Sequence, residues 1–149
     1  MSGGKVVVDA SITLKWVLDE PYTAEALLLL DELVREEVQP LAPALLAYEV
    51  ASALYKRVCR DELSLELAQE RLADLLERGP VLDFDPLLHQ QALSLAHRFG
   101  QSASYDAHYL ALAQREQCEF WTADERLWNA VCQDLPWVRW IGTFGPSGQ

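Results

Sequence analysis

Apolar and polar positions alternate along the chain in short blocks, each with the period of a strand or a helix. Val6-Val7-Val8 is an unbroken apolar run that ends on Asp9, and Ser11 to Leu18 follows with helical spacing. A buried strand passing into a helix is the expectation. Beyond Pro21, Thr23 stands where it would cap a helix through about Glu36, with Ala26, Leu27, Leu30, Leu33 and Val34 facing inward. A short extended stretch leads to Pro43. The next segment is apolar nearly all round until Lys56, which marks a helix buried on most sides.

Ser64 is positioned to cap a further helix to about Glu77, and Val81-Leu82 reads as a short strand before Asp85-Pro86. Proline suits the first position of the helix that then runs to about Phe99. Gly100 to Ala103 break the chain, and Ser104 opens one more helix. Phe120-Trp121-Thr122 reads as a strand, Asp124 onward as a short helix, Val138 to Ile141 as a last strand and 142–149 as a loose tail. Strands alternating with helices imply an α/β fold with a mainly parallel sheet. The 149 residues suit one domain spanning 1–149, with its core over about 5–141.

Composition narrows the function. Half of the residues are apolar, yet the longest apolar runs, Ala26 to Leu30 and Leu41 to Tyr48, fall far short of the roughly 20 residues that span a bilayer. No membrane association is expected. Twelve Lys and Arg against 23 Asp and Glu leave a balance of 12 − 23 = −11. Bulk charge therefore argues against binding a polyphosphate through the overall field, and any nucleic acid has to be held locally with metal ions offsetting the repulsion. Cys59, Cys118 and Cys132 are odd in number and lack CxxC spacing, which fits reduced thiols in a cytoplasm.

Four acids stand apart from the solvated runs such as Asp31-Glu32 and Glu36-Glu37. Asp9 is the only charge between Lys5 and Lys15, Glu49 the only one from Leu41 to Tyr55, and Asp106 the only one between Arg98 and Arg115; Asp124 follows Phe-Trp-Thr-Ala. Burying a carboxylate costs several kcal/mol unless something pairs with it. Three of these acids have ordinary readings: Asp9 as a helix cap, Asp106 in a first turn, and Asp124 in the first turn of a helix whose capping box is Thr122 and Glu125. Glu49, in an apolar helix, has none. In an open parallel sheet, strand ends and helix starts converge on the crevice at the carboxyl edge. Carboxylates gathered there repel one another unless a cation sits among them, and all-oxygen donors without His or Cys suit Mg²⁺ or Mn²⁺. Activation of water for attack on a phosphodiester is the chemistry such an ion supplies.

These segments resemble the PIN-domain ribonucleases, and among them the VapC-type toxins of toxin–antitoxin pairs. Val7-Val8-Asp9-Ala-Ser-Ile-Thr-Leu-Lys-Trp is similar to that group's first motif and Pro43-Ala-Leu-Leu-Ala-Tyr-Glu49-Val-Ala-Ser to its second. Ser104-Tyr-Asp106-Ala-His-Tyr-Leu-Ala is similar to the third and Trp121-Thr122-Ala-Asp124-Glu-Arg to the fourth. The resemblance implies a PIN-like sheet of order 3-2-1-4-5 and an endoribonuclease that leaves a 5′-phosphate. It also implies a homodimer and inhibition by a small antitoxin. It assigns Asp9, Glu49, Asp106 and Asp124 as metal-binding acids, with Thr122 and Ser11 orienting a ligand or water.

Lys56 and Arg60 follow Glu49 by seven and eleven residues, within about 40 degrees of its face on a helix, and are candidates for RNA phosphate contact, as is Lys15. A solvated helix end is the competing reading for the first two. The Trp residues of the last third suit packing better than base stacking. Asp83-Phe84-Asp85 is an Asp-x-Asp, as in metal-dependent phosphatases, but mid-chain it reads more simply as a turn and cap. Two further functions compete with the nuclease: a non-cleaving PIN-like module that binds a basic partner, and a metal-dependent phosphatase.

Overall fold

A computed structural model describes residues 3–145. Its elements run β1 (Lys5–Val8), α1 (Ala10–Val17), α2 (Thr23–Arg35), β2 (Gln39–Pro43), α3 (Leu45–Cys59), α4 (Leu65–Arg78) and β3 (Val81–Asp83). They continue through α5 (Leu87–Arg98), α6 (Tyr105–Glu116), β4 (Glu119–Thr122), α7 (Glu125–Val131) and β5 (Val138–Trp140), ending in a 3₁₀ turn at Ile141–Thr143. All strand pairings are parallel, in the order β3-β2-β1-β4-β5. This is the α/β architecture and strand order expected of a PIN fold.

The central strand is apolar at consecutive positions because both of its faces are covered. Val7 faces a layer with Leu46, Val50 and Leu54 of α3 and most of α6, while Val6 and Val8 face the opposite layer with Ile12, Ala26, Leu29, Leu33 and Ile141. Phe120 and Trp121 of β4 divide in the same way. Val7 pairs in register with Leu41 and Phe120, and Val8 with Trp121, so β1 and β4 end side by side. The order reverses at β1, since β2 and β3 lie to one side and β4 and β5 to the other. The crevice above the ends of β1 and β4 is thus the topological switch point, the position where open α/β sheets gather their ligands.

Several local expectations are corrected. The inward residues of α2 are Ala26, Leu29 and Leu33, whereas Leu27 and Val34 are exposed and Leu30 is only half-buried. Four apolar residues in a row, Leu27 to Leu30, left the phase of the helix undetermined by pattern alone. Thr23 does not cap α2; its hydroxyl donates to the Leu18 carbonyl and accepts from the Glu20 N–H, clasping the turn before it. Ser64 does cap α4, accepting from Leu67 N–H at 3.1 Å. The expected tail is ordered where it is described: Ile141 is buried and Phe144 meets Trp121 edge-on at 5.3 Å. The remainder of that tail, 146–149, lies outside the described residues.

Candidate active site

Asp9 stands directly after β1 and is buried. Both of its carboxylate oxygens are held: Ser11 Oγ donates to Oδ1 and Thr122 Oγ1 to Oδ2, each at 2.5 Å, and Ile12 N–H adds a cap bond at 3.2 Å. The capping reading is therefore true of Asp9, but it accounts for only one of three donors. Ser11 also accepts from the Ala123 N–H, and Thr122 from the Asp124 N–H, so two hydroxyls sew the end of β1 to the end of β4. Burial pushes the Asp9 carboxyl up to about 7 against the lowering effect of these bonds, and Asp106 adds to the rise.

Glu49 lies one turn into α3, half-buried, with Oε1 accepting from the Tyr109 hydroxyl at 2.5 Å. Burial raises its carboxyl, the tyrosine lowers it, Asp106 raises it again and His108 lowers it slightly, leaving the net direction upward. Asp106 is in the first turn of α6, where the helix dipole favours negative charge, yet its carboxyl is raised by burial and by Asp124. Asp124 caps α7 by accepting from Leu127 N–H at 3.2 Å. This corrects the expected capping box: Asp124, not Thr122, is the cap residue, because the Thr122 hydroxyl is committed to Asp9.

The four acids thus sense one another's charge in a chain from Asp9 and Glu49 through Asp106 to Asp124. None of them pairs with a Lys or Arg among the described residues. They are near enough to raise one another's proton affinity, but no three of the described His, Cys, Asp or Glu side chains form a closed metal-ligand set in this arrangement. Their chemistry nevertheless fits a hard divalent cation: the donors are oxygens only, and no Lys or Arg among the described residues neutralises their charge. A hollow of about 1160 Å³ elsewhere is lined by Lys5, Leu33, Glu119 and Trp137, at the opposite, amino-terminal edge of the sheet, and by none of these acids.

Lys15 is largely buried, and its charge is committed to Glu20 at 3.2 Å, which Arg57 also contacts at 3.0 Å. Lys56 and Arg60 are exposed and have no acidic partner among the described residues. His108 Nδ1 donates to the Ser104 carbonyl at 2.8 Å and its Nε2 meets His89 Nδ1 at 2.9 Å, bracing the start of α6 against α5. Asp83 and Asp85 form the expected turn and cap, and both pair with Arg115, leaving neither carboxylate as free as those above the sheet. The tryptophans pack, with Trp128 stacked on Trp140 at 5.5 Å.

Tyr109 is the site residue that sequence reasoning missed. It is fully buried and stacked on Phe120 at 5.8 Å between ring centres. Burial and the neighbouring carboxylates push its phenol well above the usual range, so it is a neutral, permanent donor to Glu49. The only available signal was a tyrosine one turn after Asp106, at the head of the run Leu-Ala-Leu-Ala in the same helix.

Comparison with known proteins agrees with this geometry. A family model described as "PIN domain" matches residues 6–132. The crystal structure of PAE2754 from Pyrobaculum aerophilum is similar over 87% of this chain and 87% of that chain, at 26% sequence identity and a TM-score of 0.61. No curated protein matches the sequence.

Proposed function

The chain belongs to the PIN-domain family, whose members are generally metal-dependent nucleases, and from that premise we propose that it is a Mg²⁺- or Mn²⁺-dependent endoribonuclease, the toxin of a toxin–antitoxin pair. The observation that carries this reading is the line of carboxylates at the switch point, Asp9, Glu49, Asp106 and Asp124, none of which is paired with a Lys or Arg among the described residues. Those four would hold the ion. When bound, it supplies Lewis acidity to the phosphodiester and lowers the pKa of water.

The remaining work falls to the chain's own groups. Ser11 and Thr122 fix both oxygens of Asp9, so that its carboxylate faces the crevice in one orientation without rotating. Tyr109 does the same for one oxygen of Glu49 and, being neutral, leaves its charge unspent. Asp106 and Asp124 are presented from helix starts, the first in the opening turn of α6 and the second as the cap of α7. A scissile phosphate is drawn in only when the carboxylate charge has been offset, which makes substrate binding conditional on the cation.

A small antitoxin and a homodimer belong to the same proposal. Val81, Phe84 and Leu87 are exposed along the β3 edge and the start of α5, an apolar strip of the kind that supports self-association. A reducing compartment such as the cytoplasm suits the three free thiols, and none of the described helices is long and apolar enough to cross a membrane. Titration calorimetry tests the metal assignment without any RNA. The native protein is expected to bind Mn²⁺, with affinity lost in Asp9→Asn and Asp106→Asn variants of unchanged circular dichroism. Undiminished binding by both variants would overturn the assignment.

A further inference from the structure

The solvent face of α3 carries features that the acidic site does not use. On a helix of about 100 degrees per residue, Lys56 and Arg60 continue the line of Glu49 along the axis, each within about 20 degrees of it. Tyr48 and Tyr55 lie about 100 to 120 degrees round on the solvent side, with Ser52 between the two rows. Tyr48 is 75% and Tyr55 63% exposed, and with Tyr105 at 61% they are the most exposed of the five tyrosines. Tyr105 belongs to the same neighbourhood: it precedes Tyr109 by one turn of α6, and Tyr109 hydrogen-bonds Glu49.

Two rows of different chemistry thus run side by side away from the acids. One is cationic, in a protein of net charge −11 that commits most of its other Lys and Arg to ion pairs or internal contacts. The other is aromatic and largely exposed. A phosphate row beside a base-stacking row is what an unpaired strand requires, because stacking on aromatic rings needs base faces that a duplex keeps covered.

We propose that the outer face of α3 holds the single-stranded arm of the substrate next to the scissile phosphate, with Lys56 and Arg60 on its phosphates and Tyr48 and Tyr55 against its bases. The inference rests on the nuclease reading and deepens it. Neither tyrosine reads a hydrogen-bonding edge, so this strip selects unpaired strands over duplex and is tolerant of sequence; the seven-residue separation within the aromatic row, about 10 Å along the axis, spans more than one base.

The test uses the Asp106→Asn protein, which does not consume the probe, with a labelled unpaired oligoribonucleotide of mixed sequence and a duplex of equal length. Fluorescence anisotropy in Mg²⁺ is expected to show tighter binding of the single strand. The further pair Tyr48→Ala/Tyr55→Ala weakens it at least tenfold, whereas Lys56→Ala/Arg60→Ala flattens the dependence of log affinity on log salt by about 1.4 for two lost phosphate contacts. Circular dichroism verifies the fold of each variant. Equal binding by the tyrosine variant and its parent overturns the proposal. So does loss of a dimer in sedimentation with RNA binding unchanged, which would make the tyrosine row an interface between copies. Failure of the underlying reading looks different: the native protein with Mg²⁺ or Mn²⁺ would then cut no RNA at all, whatever α3 binds.

Discussion

At the scale of single residues, the account turns on carboxylates held up by burial and by one another. Asp9 has a folded pKa of about 7 against an ordinary 3.8, so the folded protein keeps a proton that the unfolded chain releases. The stability this contributes is full below the unfolded value and lost as pH rises through the folded one. Metal-free protein is expected to melt at a lower temperature at pH 8 than at pH 5.5, with Mn²⁺ narrowing the gap; a melting temperature that climbs over that range without metal would contradict the burial argument. Tyr109→Phe removes the hydroxyl that steadies Glu49 while keeping the stack on Phe120. It should weaken Mn²⁺ binding in calorimetry and lower kcat about tenfold, with KM for RNA little changed, since the phenol touches no substrate. Of these details Asp9 and Glu49 were visible in the sequence as charges isolated among apolar residues. Tyr109 was not, because a buried hydroxyl and a packed ring give the same letter.

At the scale of elements, Asp124 performs two tasks that substitutions can separate. It caps α7 through Leu127 N–H and contributes charge to the acidic line. Asp124→Ser or Asp124→Asn keeps a capping oxygen and should leave thermal stability nearly intact while cleavage is lost; Asp124→Ala should lose activity and also about 1 kcal/mol of stability. Equal stability of the serine and alanine forms would remove the cap from the explanation. Gly142 serves the last turn by its lack of a side chain: a Cβ there would lie 2.3 Å from the Trp140 ring. Gly142→Ala should therefore cost about 1–3 kcal/mol, read from denaturant midpoints, through displacement of a ring stacked on Trp128. Element positions were legible wherever period and punctuation agreed, as at Val6 to Asp9 or Ser64. They were ambiguous in α2, where consecutive leucines satisfy more than one face. Thr23 and Thr122 were misread for a single reason: a hydroxyl's partner is chosen by tertiary neighbours, Leu18 for one and Asp9 for the other.

For the whole molecule, the strand order explains why acids far apart in sequence matter together. Reversal of direction at β1 opens the crevice between β1 and β4, and the hydroxyls of Ser11 and Thr122 bridge the strand ends that frame it. The order itself was legible only through family resemblance, since alternating strands and helices are compatible with several parallel sheets. Net charge of −11 makes the protein a poor binder of RNA by its overall field, and activity is accordingly expected to be conditional on divalent ions. The most direct test of this central claim is to incubate purified, partner-free protein with mixed structured RNAs in Mg²⁺, in Mn²⁺ and in EDTA, beside the Asp106→Asn variant. Discrete fragments that require the metal and vanish in the variant are the predicted result. Cleavage that persists in EDTA, or undiminished metal-dependent cleavage by Asp106→Asn, would contradict it.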